Sequence, residues 1–165
     1  MSERPTTDAA AKWLIIDGNN LLYHDAELTR VASSDFEQAR RRLAQKLDEL
    51  AGSLNYDRVI VVFDGRGAAV QAQPHSKFVE VLFSPANLTA DSVIERLAHD
   101  APDPSRITVV TSDRGERDTV EAAGGSTMSC SNFLELLERR RREVAQTIRH
   151  FRQPGAGGRL GDFFP

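Results

Sequence analysis

The chain of 165 residues has a single cysteine, Cys130, so no disulfide can form within it. A lone thiol fits a reducing compartment, and we expect a cytoplasmic protein. A nucleophilic cysteine would need a histidine beside it, and none lies nearby in the sequence. The sequence therefore favours a structural role for Cys130.

Long apolar runs are also missing. No stretch approaches the roughly 20 apolar residues needed to span a bilayer, and the first twelve residues lack the apolar core of a signal peptide. Hydrophobic residues make up 40% of the chain and charged residues 27%, as in an ordinary globular domain. We expect one domain over residues 12–152 with flexible ends at 1–11 and 153–165, no membrane partner, and a monomer or weak homodimer.

Signature motifs of several enzyme classes are absent. The sequence contains no GxxxxGK[ST] phosphate loop and no GxGxxG that opens a helix after the first strand. The four histidines are too far apart for zinc-ligand spacing. Phosphatases that use an Asp-x-Asp motif are disfavoured as well, because Asn19 occupies the second acidic position.

Acidic residues, by contrast, recur at the ends of apolar stretches. Three continuous β-branched or aliphatic stretches run directly into Asp17, Asp64 and Asp113. Such stretches are typical of parallel strands that are covered on both faces. In open α/β sheets, ligands bind beyond the carboxyl ends of the strands. The pattern therefore predicts an acidic site at one edge of a sheet.

Strand and helix patterns alternate along the chain. Strands are predicted at about 12–17, 58–64, 78–83, 106–112 and 126–128, and helices at about 34–52, 89–101, 113–123 and 131–150. The first of these helices is predicted to begin at Ser34, where Ser34 and Glu37 match a capping box. This alternation predicts an α/β fold with a mostly parallel sheet of four to five strands flanked by helices.

Asp17 has the best position for chemistry. It ends an apolar strand, and Gly18 would allow a substrate or another backbone segment to approach closely. Asn19 and Asn20 supply amides that can hold a carboxylate or phosphate in place. The alternative is that these residues only form the turn after the strand. That reading does not explain why an acid recurs at three strand ends.

Other acids can join the same site. Asp113 follows the fourth strand and opens a helix, although it would also serve as a simple N-cap. Asp91 lies in the first turn of its helix, and Glu95 lies one turn later on the same face. The alternative is that Asp91 is there only because the helix dipole favours acids in the first turn. Asp64 and Asp118 are weaker, supporting candidates.

Clustered carboxylates form the oxygen-rich environment that Mg²⁺ or Mn²⁺ prefers. Without a cation, the like charges would repel one another and raise a pKa. A divalent ion would relieve that repulsion and could support hydrolysis of a phosphodiester bond. The sequence thus points to metal-dependent phosphodiester chemistry.

Basic residues are concentrated in runs despite the net charge of −3. Arg114 and the run Arg40, Arg41 and Arg42 are candidates for contacting an RNA backbone, and Tyr23 is the nearest candidate for base stacking. The alternative is that these arginines solvate helix faces and pair with glutamates at helical spacing.

Four motifs occur in a recognisable order. They are Ile16-Asp17-Gly18-Asn19-Asn20, Val62-Phe63-Asp64-Gly65, Thr89-Ala90-Asp91 with Ile94-Glu95, and Val110-Thr111-Ser112-Asp113. This ordered set resembles the NYN domain of the PIN-like ribonuclease group, specifically its YacP-like branch. The resemblance covers about residues 12–137.

The resemblance implies a PIN-like, Rossmann-like three-layer fold and a metal-dependent endoribonuclease that hydrolyses RNA. Asp17, Asp91 and Asp113 would then be the metal-site acids, Asn20 would orient water or phosphate, and Asp64 would support them. The branch includes proteins that act on messenger RNA at the ribosome, so the resemblance also implies the ribosome as a candidate partner.

Two other interpretations stay open at the level of sequence. One is an RNA- or ribosome-binding adaptor that keeps a PIN-like fold with weak or absent catalysis. The other is an unrelated Rossmann-like nucleotide-binding or phosphatase domain. Metal-dependent cleavage of RNA would separate the endoribonuclease from both.

Overall fold

The computed structural model describes residues 11–65 and 78–152. Its elements follow one another as β1 (Trp13–Asp17), α1 (Gly18–His24), α2 (Ala26–Ser34), α3 (Phe36–Ala51), β2 (Arg58–Phe63), β3 (Val79–Phe83), α4 (Ala90–Asp100), a 3₁₀ turn (Pro104–Arg106), β4 (Ile107–Val110), α5 (Arg114–Ala122), β5 (Ser126–Met128) and α6 (Cys130–Arg152). The predicted flexible ends, 1–11 and 153–165, lie outside the described residues, apart from residue 11. Within the described ranges, no helix is long and apolar enough to cross a membrane.

The five strands form one parallel sheet in the order β3-β2-β1-β4-β5. The chain first builds outward from β1 through β2 to β3, and it then returns to the other side of β1 to form β4. The strand order therefore reverses between β1 and β4, at the place where open α/β sheets bind ligands. The prediction of an α/β fold with a mostly parallel sheet of four to five strands flanked by helices is confirmed, and the sheet has five strands, all parallel.

Apolar side chains cover both faces of the sheet and make three layers. On one face, β1 and β2 pack against α1, α2, α3 and α6 through residues such as Leu43 and Phe133. On the other face, α4 and α5 pack through Ile94 and Val120. Burial on both faces explains why the central strands are continuously apolar.

The segment between β1 and α3 differs from the sequence prediction. No helix was predicted there, but α1 and α2 follow β1 directly, and each begins at an aspartate N-cap, Asp17 or Asp25. The N-cap of α3 is Asp35, whose side chain accepts a hydrogen bond from the backbone N–H of Gln38, so the assignment of Ser34 was wrong. Aspartate side chains therefore cap three successive helices, including α1, where the sequence had also allowed a simple turn.

Candidate metal centre

Three carboxylates from separate elements converge at the carboxyl edge of the sheet. They belong to Asp17 at the end of β1, Asp91 in the first turn of α4 and Glu116 in the first turn of α5. One oxygen from each carboxylate lies within 4.8 Å of the others. Asp17 and Glu116 are buried, at 6% and 3% exposure, and Asp91 is the more exposed member. We call these three residues the acidic cluster.

Local hydrogen bonds at helix starts position Asp17 and Asp91. Asp17 ends a buried strand, and its Oδ1 accepts a hydrogen bond of 3.2 Å from the backbone N–H of Asn20. Asp91 follows the N-cap Thr89, whose hydroxyl accepts a hydrogen bond from the N–H of Ser92. These caps fix the first turns of α1 and α4. The start of α1 directly follows β1, and the carboxylate distances place the start of α4 beside the end of β1.

Glu116 has one satisfied and one unsatisfied oxygen. The hydroxyl of Thr111 donates to Glu116 Oε2 at 2.9 Å. Glu116 Oε1 is buried and has no hydrogen-bond partner among the described residues. A buried carboxylate oxygen without a partner is costly. A bound cation would satisfy it, and the surrounding all-oxygen donor set suits Mg²⁺ or Mn²⁺.

The raised pKa values of Glu116 and Asp17 also favour a bound cation at the acidic cluster. Burial, followed by the negative charges of Asp17 and Asp91, raises the pKa of Glu116 to about 9. Burial also raises the pKa of Asp17, and the charges of Asp91 and Asp113 add to that effect. Without a cation, the pair therefore retains a proton at pH values where free carboxyl groups are ionised. A divalent ion would remove this penalty.

Asp113 lies beside the acidic cluster but is not one of its three members. Its Oδ1 accepts a hydrogen bond of 2.9 Å from the backbone N–H of Glu116 and caps α5. Its side chain is exposed, and its charge contributes to raising the pKa of Asp17. Asp113 thus fixes the helix start that carries Glu116, while its role as a metal ligand stays a prediction.

Asn19 and Asn20 use their side-chain oxygens to join neighbouring loops. Asn19 Oδ1 accepts a hydrogen bond of 3.0 Å from the backbone N–H of Asp64, just after β2. Asn20 Oδ1 accepts from the backbone N–H of Ser112 at 2.8 Å and from the thiol of Cys130 at 3.0 Å. Both amides therefore hold the strand ends in place. Because Oδ1 of Asn20 already accepts these two hydrogen bonds, the predicted contact with water or phosphate would be made by Nδ2, and it stays a prediction.

Cys130 is a buried thiol in this network. Burial is the main cause that raises its pKa, and the charges of Asp17 and Glu116 act in the same direction. A thiol in these surroundings stays protonated and unreactive at neutral pH. This agrees with the structural role expected from the sequence.

The three supporting acids predicted from the sequence lie outside the acidic cluster. Asp64 follows β2, where its Oδ1 accepts a hydrogen bond of 3.3 Å from the hydroxyl of Ser84. Glu95 is exposed on α4 and lines a separate cavity of about 410 Å³ between α4 and α5. Asp118 is exposed on α5, two residues beyond Glu116, so it points away from the helix face that Glu116 buries. Their supporting roles stay predictions.

The predicted RNA-binding arginines have different surroundings. Arg40 is half-buried against aromatic rings, whereas Arg41 is exposed. Arg42 forms an ion pair of 3.7 Å with Glu27. Arg114 is exposed at the first position of α5, beside the N-cap. The run that looked uniform in sequence is therefore divided between packing, solvent and an ion pair.

Sequence reasoning missed Glu116. Asp113 and Glu116 read together as the N-cap and third residue of a helix, which is a common helix-start pattern and gives no hint of burial. The available signal was Val120, one turn after Glu116. Positions four apart share a helix face, so an apolar residue at 120 places Glu116 on the inner face of α5.

Comparison with known proteins gives the family. A family model described as the YacP-like NYN domain matches residues 14–160. The protein YacP of Bacillus subtilis (strain 168) is 32% identical over 151 residues, which is 89% of this chain and 87% of YacP.

The structure is similar to crystal structures of Rae1 (YacP) from Bacillus subtilis. One, of a point mutant, has 32% identity and a TM-score of 0.72 over 85% of this chain and 83% of that chain. Another has 31% identity and a TM-score of 0.71 over 85% and 81% of the two chains. With its five-stranded sheet and its family match both in place, this chain belongs to the YacP-like NYN domain family, a nuclease-type family with a PIN-like fold.

Proposed function

We propose that this protein is a metal-dependent endoribonuclease that hydrolyses phosphodiester bonds in RNA, including messenger RNA. The observation that carries the proposal is the convergence of three carboxylates within 4.8 Å at the point where the strand order reverses. A nuclease-type family match over most of the chain supports it.

Asp17, Asp91 and Glu116 would hold Mg²⁺ or Mn²⁺ through carboxylate oxygens. When bound, such an ion polarises a phosphoryl oxygen and lowers the pKa of water. Within the protein, Asp17 and Glu116 keep their side chains in a buried position, and Thr111 holds Glu116 in one orientation through its hydroxyl. The exposed side of the cluster at Asp91 leaves room for a substrate to approach.

An exposed cation at the same edge of the sheet, Arg114, fits a polyanionic substrate. Arg114 is the first residue of α5 and lies in the same helical turn as Glu116. Its exposed guanidinium and the N-terminal end of the helix both favour a phosphate at this place. Contacts of this kind give affinity and register but do not read the base sequence.

The test is cleavage of 5′-labelled RNA by purified protein with Mg²⁺ or Mn²⁺ and with a chelator. We expect metal-dependent internal cleavage that is lost in Asp17→Asn and in Glu116→Gln. Glu135→Gln, an isosteric change at an exposed site on α6, serves as the matched control and should retain activity. Full activity in both site variants would contradict the proposal.

The same assay separates the rival functions. RNA binding by the native protein without any metal-dependent cleavage would indicate the catalytically weak adaptor. Release of inorganic phosphate from small phosphoesters would indicate a phosphatase. The family resemblance adds the ribosome as a proposed partner, and co-sedimentation of the purified protein with ribosomes tests that partner separately.

A further inference from the structure

Arg40 occupies an unusual position among the cations of this protein. Its guanidinium carbon lies 4.7 Å from the ring centre of Phe36, 5.4 Å from that of Phe83 and 5.9 Å from that of Phe63. Three rings within about 6 Å form a cation–π seat. This seat holds the guanidinium in a defined place before any ligand arrives.

Among the described residues, no ion pair neutralises the charge of Arg40. Arg42, Arg58 and Arg141 each form an ion pair with a glutamate. Across residues 11–65 and 78–152, Arg40 has no such carboxylate partner, and its buried Nε has no hydrogen-bond acceptor. A half-buried guanidinium without an anion is the arrangement expected of an anion-binding group.

The seat of Arg40 adjoins the acidic cluster. Phe63 and Phe83 are the last residues of β2 and β3, so the seat lies at the carboxyl edge of the sheet. The ring of Phe63 packs against Gly18, the residue after Asp17, so closely that a Cβ on Gly18 would lie 2.5 Å from Phe63 Cε1. The ring of Phe63 thus contacts both the guanidinium of Arg40 and the backbone at Gly18, next to Asp17.

An exposed aromatic ring extends the seat on its outer side. The ring centre of Tyr23 lies 6.3 Å from that of Phe36, and Tyr23 is 58% exposed. Exposed rings next to a cation are how single-stranded nucleic acids are held without sequence readout, with bases on rings and phosphates on cations.

We propose that Arg40, seated on Phe36, Phe63 and Phe83, binds a backbone phosphate of single-stranded RNA next to the acidic cluster, and that Tyr23 stacks the adjoining base. This subsite rests on the proposed function, since it identifies where the RNA substrate of that site is held. The guanidinium donates to phosphate oxygens, and the rings exclude water from its inner face.

The test measures binding without cleavage. A fluorescein-labelled single-stranded RNA oligonucleotide is titrated in EDTA, over a series of salt concentrations, with the native protein and with Arg40→Met. Methionine keeps apolar contact with the rings but has no charge. We expect Arg40→Met to weaken binding about tenfold and to reduce the slope of log Kd against log salt by about 0.7, the value for one phosphate contact on a single strand.

Matched variants make the result specific. Arg106→Gln removes one exposed positive charge at the amino edge of the sheet, and we expect it to change Kd less than twofold. Tyr23→Ala should weaken binding about fivefold to tenfold with the salt slope unchanged, because stacking involves no counterion release. Urea unfolding of Arg40→Met confirms that this variant is folded under the conditions of the titration.

Native affinity and native slope in Arg40→Met would overturn the subsite, and so would a native protein that does not bind the oligonucleotide in EDTA. The cleavage assay is independent of this result. If Arg40→Met loses binding but the native protein never cleaves RNA, the subsite stands and the proposed nuclease activity fails. If the native protein cleaves RNA but Arg40→Met binds RNA normally, the proposed nuclease activity stands and the subsite fails.

Discussion

Replacing Glu116 with glutamine removes the titratable group of the acidic cluster whose pKa is raised to about 9, with little change in shape. The side-chain oxygen of glutamine can still accept the hydrogen bond that Thr111 donates to Glu116 Oε2 at 2.9 Å. The new amide would replace Oε1, which has no partner among the described residues, and could donate toward Asp17. The substitution therefore isolates how much ionisation of Glu116 lowers the free energy of unfolding of the metal-free protein.

The magnitude follows from the pKa. In the folded protein the pKa of Glu116 is raised to about 9, first by burial and then by the charges of Asp17 and Asp91. An unfolded glutamate titrates at about 4.3. Between these two values the folded state binds more protons than the unfolded state, so the stability of metal-free protein falls as the pH rises. Each pH unit costs about 1.4 kcal/mol, which sets a ceiling of about 2.7 kcal/mol between pH 5.5 and pH 7.5.

The assay is urea unfolding in EDTA at these two pH values. Relative to the native protein, we expect Glu116→Gln to gain about 1–2.5 kcal/mol as the pH rises, because glutamine does not titrate. The gain stays below the ceiling because Asp17 shares part of the effect. Glu135→Gln, at an exposed site, should follow the native protein. Parallel pH dependence in the native protein and in Glu116→Gln would refute the electrostatic reasoning.

Three further outcomes follow from the same structure. Mg²⁺ or Mn²⁺ should raise the melting temperature more at pH 8 than at pH 6, since the ion displaces a proton from the acidic cluster; an equal rise in differential scanning calorimetry would contradict this. Gly18→Ala should lose about 1–3 kcal/mol by urea unfolding, because a Cβ would lie 2.5 Å from Phe63 Cε1; unchanged stability would show that the ring can move. Asn20→Ala should also lose about 1–3 kcal/mol in urea, since the N–H of Ser112 and the thiol of Cys130 lose their acceptor. A native unfolding midpoint in that variant would mean that water replaces the amide.

The sequence predicted the sheet, and it singled out two of the three residues of the acidic cluster, for a clear physical reason. Strands buried on both faces are continuously apolar, so the end of each strand is visible where the first polar residue appears. Asp17 was found in this way, and Asp91 was found from its position at a helix start. The structure brings these two carboxylates together, as the sequence predicted.

The features that the sequence did not predict depend on tertiary structure or on local patterns with more than one meaning. Burial of Glu116 arises from packing of α5 on the sheet, which the local helix-start pattern does not reveal. The helices α1 and α2 were missed because their capping residues resemble turn residues. Adjacent helical residues point about 100° apart, so Arg40, Arg41 and Arg42 cannot share one environment, although the sequence run suggested a single patch.

The most direct measurement of the central claim is anomalous diffraction from a crystal of this protein soaked in Mn²⁺. We predict one strong peak in contact with carboxylate oxygens of Asp17, Asp91 and Glu116. A map with no peak at these three residues, at Mn²⁺ concentrations that saturate typical nuclease sites, would contradict the assignment of a metal centre.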